Sequence, residues 1–256
     1  MENHSRKIAL RWAQPIVILA SAAFMLAYKF WDALQGSAGL KSNTLFIPDK
    51  CALLFWAVVY IGFFIYSIYQ ILPAQRNKLL YDRLSAPVLF TIAISVAWQI
   101  VNVQGRIGMS ALITFAALIN AWVMWQWVRS RIADCSYNQW IGVPFSIYAG
   151  WITSLTIGGL SDWLSTSGWY GVPLGNAMMN VIMIISGVIT GIALSIKHND
   201  WLYPAVIALT FACIWHANHH LNAVVALTAI LSGIALGIWS AGFAIFSRLR
   251  TDISQL

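Results

Sequence analysis

His216, His219 and His220 stand at positions i, i+3 and i+4, a spacing that gathers three imidazoles on one face of a helix, where zinc, copper or a haem iron would find ligands. No carboxylate lies close by in sequence to complete or orient such a site, so the trio reads as a polar turn at a membrane interface, and no metal or cofactor is expected. The carboxylates Asp32, Asp49, Asp82, Asp134, Asp162 and Asp200 fall in connections between apolar segments, too scattered for paired acid and base work. A retinal-type Schiff base needs a mid-helix lysine, and a phosphate cradle needs a glycine-rich loop; the chain has neither. What remains is a set of amides and hydroxyls inside apolar segments: Gln70, Gln99, Asn102, Asn120, Gln126, Ser154, Thr156, Asn176 and Asn180. Such groups either tie helices together or orient a flat apolar ligand among aromatic walls. The chemistry points to binding, and no enzymatic activity is expected.

The elements that must position these groups are helices in lipid. The chain is 60% hydrophobic and 9% charged, too little charge to cover a soluble domain of this length. Stretches of about 20 residues, enough to cross a hydrocarbon core of about 30 Å and uncharged except for Lys29 near the end of the first, run from Trp12 to Trp31, Cys51 to Leu72, Leu84 to Gln104, Ile107 to Val128, Asn138 to Leu160, Gly171 to Ile196, Trp201 to about Ala217 and Asn222 to Phe246. These are continuous apolar runs, not the alternating segments of a barrel. The expected fold is an all-α integral membrane protein, a bundle of eight transmembrane helices. Prolines mark the boundaries: Pro48, Pro87, Pro173 and Pro204 lie near starts, and Pro73 follows an end.

The 14 tryptophans divide along the same lines. Trp12, Trp31, Trp127, Trp140, Trp163, Trp169, Trp201 and Trp215 sit at or near segment ends, as an interfacial belt requires. Trp56, Trp98, Trp122, Trp125, Trp151 and Trp239 lie deeper, where anchoring explains them less well.

Basic residues orient the bundle. With the N-terminus in the cytoplasm, 11 of the 15 Lys and Arg residues fall in cytoplasmic segments, and only Lys29, Lys41, Lys50 and Arg106 lie outside. Both termini are therefore expected in the cytoplasm. Topology and anionic headgroups account for the net charge of +7 without a nucleic-acid partner. The apolar run continues past the small-residue site Ala20-Ser21-Ala22 through Tyr28, which favours an uncleaved first helix over a signal peptide. Cys51, Cys135 and Cys213 show no metal spacing, and no disulfide framework is expected. Gly158-Gly159 and the Gly233, Gly237 pair read as close helix packing.

Phe46-Ile47-Pro48, followed by Leu53, Trp56, Tyr60, Gly62 and Tyr69-Gln70, resembles the second-helix signature of the tryptophan-rich sensory protein family, which includes the translocator protein once called the peripheral benzodiazepine receptor. The run from Val143 to Thr153, with Pro144, Phe145, Tyr148 and Trp151, resembles that family's fifth helix. Gly168-Trp169 and Asp200-Trp201-Leu202-Tyr203-Pro204 are similar to longer members that append three helices to a five-helix core. The resemblance implies a core over residues 1–161 and a three-helix extension over 162–256, forming one continuous membrane domain. It also implies a pocket for a planar hydrophobic molecule, porphyrin- or sterol-like, in a bacterial or organellar inner membrane.

Departures from the family pattern bear on that pocket. In helix three Trp98 precedes Asn102, where the core proteins place an Asn before the Trp; in helix five Tyr148 stands where they have Trp, and Thr156 where they have Asn. Trp56 carries over directly, with Tyr60 and Tyr148 as companions. The expected ligand-binding set is Trp56, Tyr60, Trp98, Asn102, Asn120, Tyr148 and Trp151. Expected partners are the lipid bilayer, a hydrophobic small molecule such as a tetrapyrrole, and a second copy of the chain in a homodimer. Two rival readings stand beside this one: a small transporter or permease subunit for a neutral lipophile, and a haem- or metal-dependent membrane oxidoreductase using the histidines.

Overall fold

The computed structural model describes residues 2–34, 49–75, 78–134, 137–169 and 175–253, with side chains for 9–27, 53–75, 78–134, 137–169 and 175–247. Among them are eight α-helices: α1 (Glu2–Leu34), α2 (Asp49–Tyr69), α3 (Leu79–Val103), α4 (Ile107–Ala133), α5 (Val143–Thr166), α6 (Gly175–His198), α7 (Leu202–Asn218) and α8 (Ala223–Ile253). Short 3-10 turns at Pro73–Gln75 and Gln139–Gly142 precede α3 and α5. The Phe46-Ile47-Pro48 motif, the side chains of Trp31 and Cys51, residue Cys135 and the expected start of α6 at Gly171 lie outside the described residues.

Several helices run beyond their uncharged windows, because charged residues continue a helix once its end reaches water. α3 begins five residues before the expected Leu84, so Pro87 lies inside the helix and not at its start. Among the described residues six helices are long and apolar enough to cross a membrane, and α7, Leu202–Asn218, is a shorter apolar helix. At 1.5 Å per residue, its 17 residues span roughly 26 Å, at the lower end of what a bilayer requires.

Burial separates the tryptophans by position. Trp12, Trp127, Trp140, Trp163, Trp169, Trp201 and Trp215, all near segment ends, are exposed. Trp56, Trp125 and Trp151 are buried, and Trp98, Trp122 and Trp239 are half-buried. The exposed surface is otherwise rich in Leu, Ile and Phe, as a lipid-facing surface must be.

Two compact units divide the chain. The first comprises residues 1–41 and 55–145, the second residues 42–54 and 146–256. In the first, α1 and α4 pack closely on α3. A polar network ties the N-terminal part of α1 to its neighbours: Arg11 donates to Asp82 at 2.6 Å and to the Lys78 carbonyl at 3.1 Å. One turn on, Gln14 donates to the Ser85 carbonyl at 3.2 Å and accepts from Gln70 at 2.5 Å. α3 turns into α4 through Gly105, whose φ of +76° closes the helix end while the Arg106 N–H reaches the Val101 carbonyl. α2 meets α3 through rings, Trp56 against Trp98 at one level and Tyr66 against Tyr81 at another. The Pro144-Phe145 pair docks on α2: a Cβ at Gly62 would lie 3.1 Å from the Pro144 Cβ, and Phe145 meets Phe63 and Tyr66 edge to face.

In the second unit α7 is held from three sides at glycines. A Cβ at Gly150 of α5 would lie 2.9 Å from the Tyr203 carbonyl, one at Gly187 of α6 2.8 Å from Phe211, and one at Gly233 of α8 3.2 Å from the Ala208 carbonyl. Gly159 and Gly237, expected to mark close packing, have nothing within 4 Å. The Asp200 carboxylate, buried between α6 and α7, accepts from Ser146 of α5 and from the Leu202 N–H at the start of α7. Thr153 and Tyr203 share a hydrogen bond of 2.9 Å, and Ser161 donates to Asn180 across α5 and α6. Cys213 is disulfide-bonded, which corrects the expectation drawn from cysteine spacing. Spacing along the chain does not report which cysteines a bundle brings together.

Candidate ligand-binding site

Trp56, Tyr60 and Trp98 form one ring cluster in the first unit. The period of the helix places Trp56 and Tyr60 on the same face of α2, one turn apart. Trp98 meets Trp56 from α3. The Trp56 ring centroid lies 6.1 Å from Tyr60 and 6.0 Å from Trp98, at interplanar angles of 42° and 36°. These tilts leave the rings splayed, neither stacked nor edge to face. Trp56 is 8% exposed, while Tyr60 and Trp98 are half-buried, so the cluster is set into the unit with part of its surface still accessible.

The amides of the expected set fall in different places. Asn102 is half-buried in the last turn of α3, one turn beyond Trp98, and its carbonyl accepts from the Gly105 N–H. Asn120 of α4 donates to Thr91 at 2.9 Å and to the Pro87 carbonyl at 3.1 Å. Those bonds couple α3 to α4, and Thr91 lies seven residues before Trp98, about 10 Å along the helix. Tyr148 and Trp151 belong to the second unit, where both are fully buried on α5. Thr156, half-buried on the same helix, donates back to the Ile152 carbonyl.

Sequence reasoning did not single out a stripe on α3. Thr91, Ser95 and Gln99 repeat every fourth residue and are all buried. Thr91 donates to the Pro87 carbonyl and Ser95 to the Thr91 carbonyl. Their spacing is the signal that would have found them.

The histidines do not share one helix face, because α7 ends at Asn218. His216 lies in the last turn, His219 caps the helix and His220 stands in the turn beyond. The rings nonetheless gather: His219 stacks on His216 at 5.7 Å and lies 3.7 Å from His220, and its Nδ1 is 2.6 Å from the His216 carbonyl. All three are exposed, and among the described residues no group of three His, Cys, Asp or Glu side chains has an arrangement that would hold a metal ion.

A bundle of apolar helices with exposed tryptophans at the ends and an aromatic cluster inside defines a polytopic helical membrane protein. The chain belongs to the TSPO-like protein family, whose profile matches residues 9–242. No curated protein and no solved structure matches it.

Proposed function

We propose that this TSPO-like membrane protein binds a planar hydrophobic molecule, porphyrin- or sterol-like, without transforming it, and that Trp56, Tyr60 and Trp98 form the wall on which it stacks. The observation that carries this reading is the splayed ring cluster. Lipid is as apolar as the protein interior, so large rings gain little from helix packing alone. A flat ligand laid on two or three of them gains stacking of about 0.5–1.5 kcal/mol per pair beyond area burial. Porphyrins absorb where tryptophan emits, which gives a direct measurement. Protoporphyrin is expected to quench intrinsic fluorescence saturably at micromolar concentration, with Trp56→Ala or Trp98→Ala weakening binding roughly tenfold, about 1.4 kcal/mol. Trp163 and Trp201, exposed near helix ends, are the controls. Equal weakening by Trp163→Ala, or quenching that never saturates, would mean partitioning into the interface and would sink the reading.

A further inference from the structure

The polar stripe on α3 ends in an unmet hydrogen bond. Thr91 is engaged with Asn120 and the Pro87 carbonyl, and Ser95 with the Thr91 carbonyl. Gln99, next along the same face, is 1% exposed, and its Nε2 has no hydrogen-bond partner among the described residues. An amide N–H₂ carries two donors and its burial without an acceptor is penalised, so such groups are ordinarily satisfied. Gln99 also follows directly on Trp98, whose ring meets Trp56. An unsatisfied donor therefore stands at the height of the Trp98 ring along α3, on the face about 100° round the helix from it. Of the two amides expected in the ligand-binding set, Asn120 already donates to Thr91 and the Pro87 carbonyl, and Asn102 is half-buried in the last turn of α3.

We propose that Gln99 is the positioning donor of this site: its amide nitrogen holds an acceptor oxygen, carbonyl or carboxylate, on the rim of the planar molecule stacked at Trp56 and Trp98. The inference rests on the ligand reading above and narrows it. It requires a ligand whose flat apolar body bears at least one acceptor oxygen. A hydrocarbon of the same shape would fill the rings and leave the amide unmet.

The test uses the full chain in lipid nanodiscs and two porphyrins of similar shape: protoporphyrin IX, which carries two propionates, and etioporphyrin, which has no oxygen. Wild-type protein is expected to bind the first about tenfold more tightly than the second. Gln99→Leu removes the donor at nearly constant volume and is expected to erase that preference while leaving etioporphyrin affinity within twofold. Gln99→Glu keeps the shape but places a carboxylate opposite the propionate, and is expected to weaken protoporphyrin further. Trp56→Ala should weaken both porphyrins alike. Without ligand, Gln99→Leu should melt at the same or a higher temperature than wild type, because an unmet buried amide has been removed. If Gln99→Leu weakens both porphyrins equally, or neither, Gln99 is not the anchor even though the pocket stands. If wild-type protein binds neither porphyrin, the ligand reading fails, and the anchor with it.

Discussion

The Arg11 guanidinium of α1 and the Asp82 carboxylate in the first turn of α3 meet at 2.6 Å, with Arg11 only 4% exposed and lying over the Tyr81 ring. Two residues that read as interfacial charges are in fact an interhelical clasp. Arg11 stacks, pairs and donates to the Lys78 carbonyl at once, a combination that suits a planar guanidinium better than an ammonium.

Removing one partner leaves the other charge poorly solvated. Asp82→Asn is expected to lower stability by about 2 kcal/mol, less than the roughly 3–5 kcal/mol of a wholly buried pair because water still reaches the carboxylate. Thermal unfolding in detergent would measure it. The double change Arg11→Leu, Asp82→Leu should recover most of the loss; a double variant as unstable as both single losses summed would mean that the two side chains act separately.

Glycine positions give a second contrast. Gly150→Ala forces a methyl against the Tyr203 carbonyl and should cost about 1–3 kcal/mol. Gly237→Ala meets open space on a helix and should be neutral or stabilising by up to about 1 kcal/mol. Comparable melting temperatures for the two variants would contradict the packing around α7.

The disulfide at Cys213 predicts a thiol count. With three cysteines in the chain and one intramolecular bridge, denatured protein should take up one maleimide before reduction and three after it. Three before reduction would rule the bridge out.

Orientation can be tested by the same logic. Disulfides persist in oxidising compartments, and with the N-terminus in the cytoplasm the C-terminal half of α7, which carries Cys213, points away from it. The excess of Lys and Arg in the segments on the opposite side supports the same assignment. Reporter fusions at both ends should give cytoplasmic signals, and opposite signals from the two ends would require an odd number of crossings.

The helices were legible because a bilayer demands long uninterrupted apolar runs, and among the described residues the tryptophans near segment ends are exposed while the deeper ones are buried or half-buried. Neighbours were less legible. Periodicity tells which face of α3 is buried but not that α1 supplies Arg11 to it, since the partners are 71 residues apart. Glycine spacing suggested Gly158-Gly159 and the Gly233, Gly237 pair, yet contact depends on how closely another helix passes, and that keeps Gly233, leaves Gly159 and Gly237 open and adds Gly150 and Gly187. In the ring cluster, Trp56, Tyr60 and Trp98 were each named from sequence. Gln99 was one amide among many until burial and bonding distinguished it from Asn120.

The connection from α7 to α8 has a consequence for biosynthesis. Asn218 and Asn222 fold the chain back between the two helices, the Asn222 N–H reaching the Asn218 carbonyl and its side chain accepting from the Val225 N–H. α7 is 17 residues long, and α8 supplies the Gly233 seat against it. On leaving the ribosome alone, α7 is a short apolar segment that lacks its seat. Its natural route into the bilayer is as half of a helical hairpin, so nascent chains truncated within α8 should leave α7 incompletely inserted.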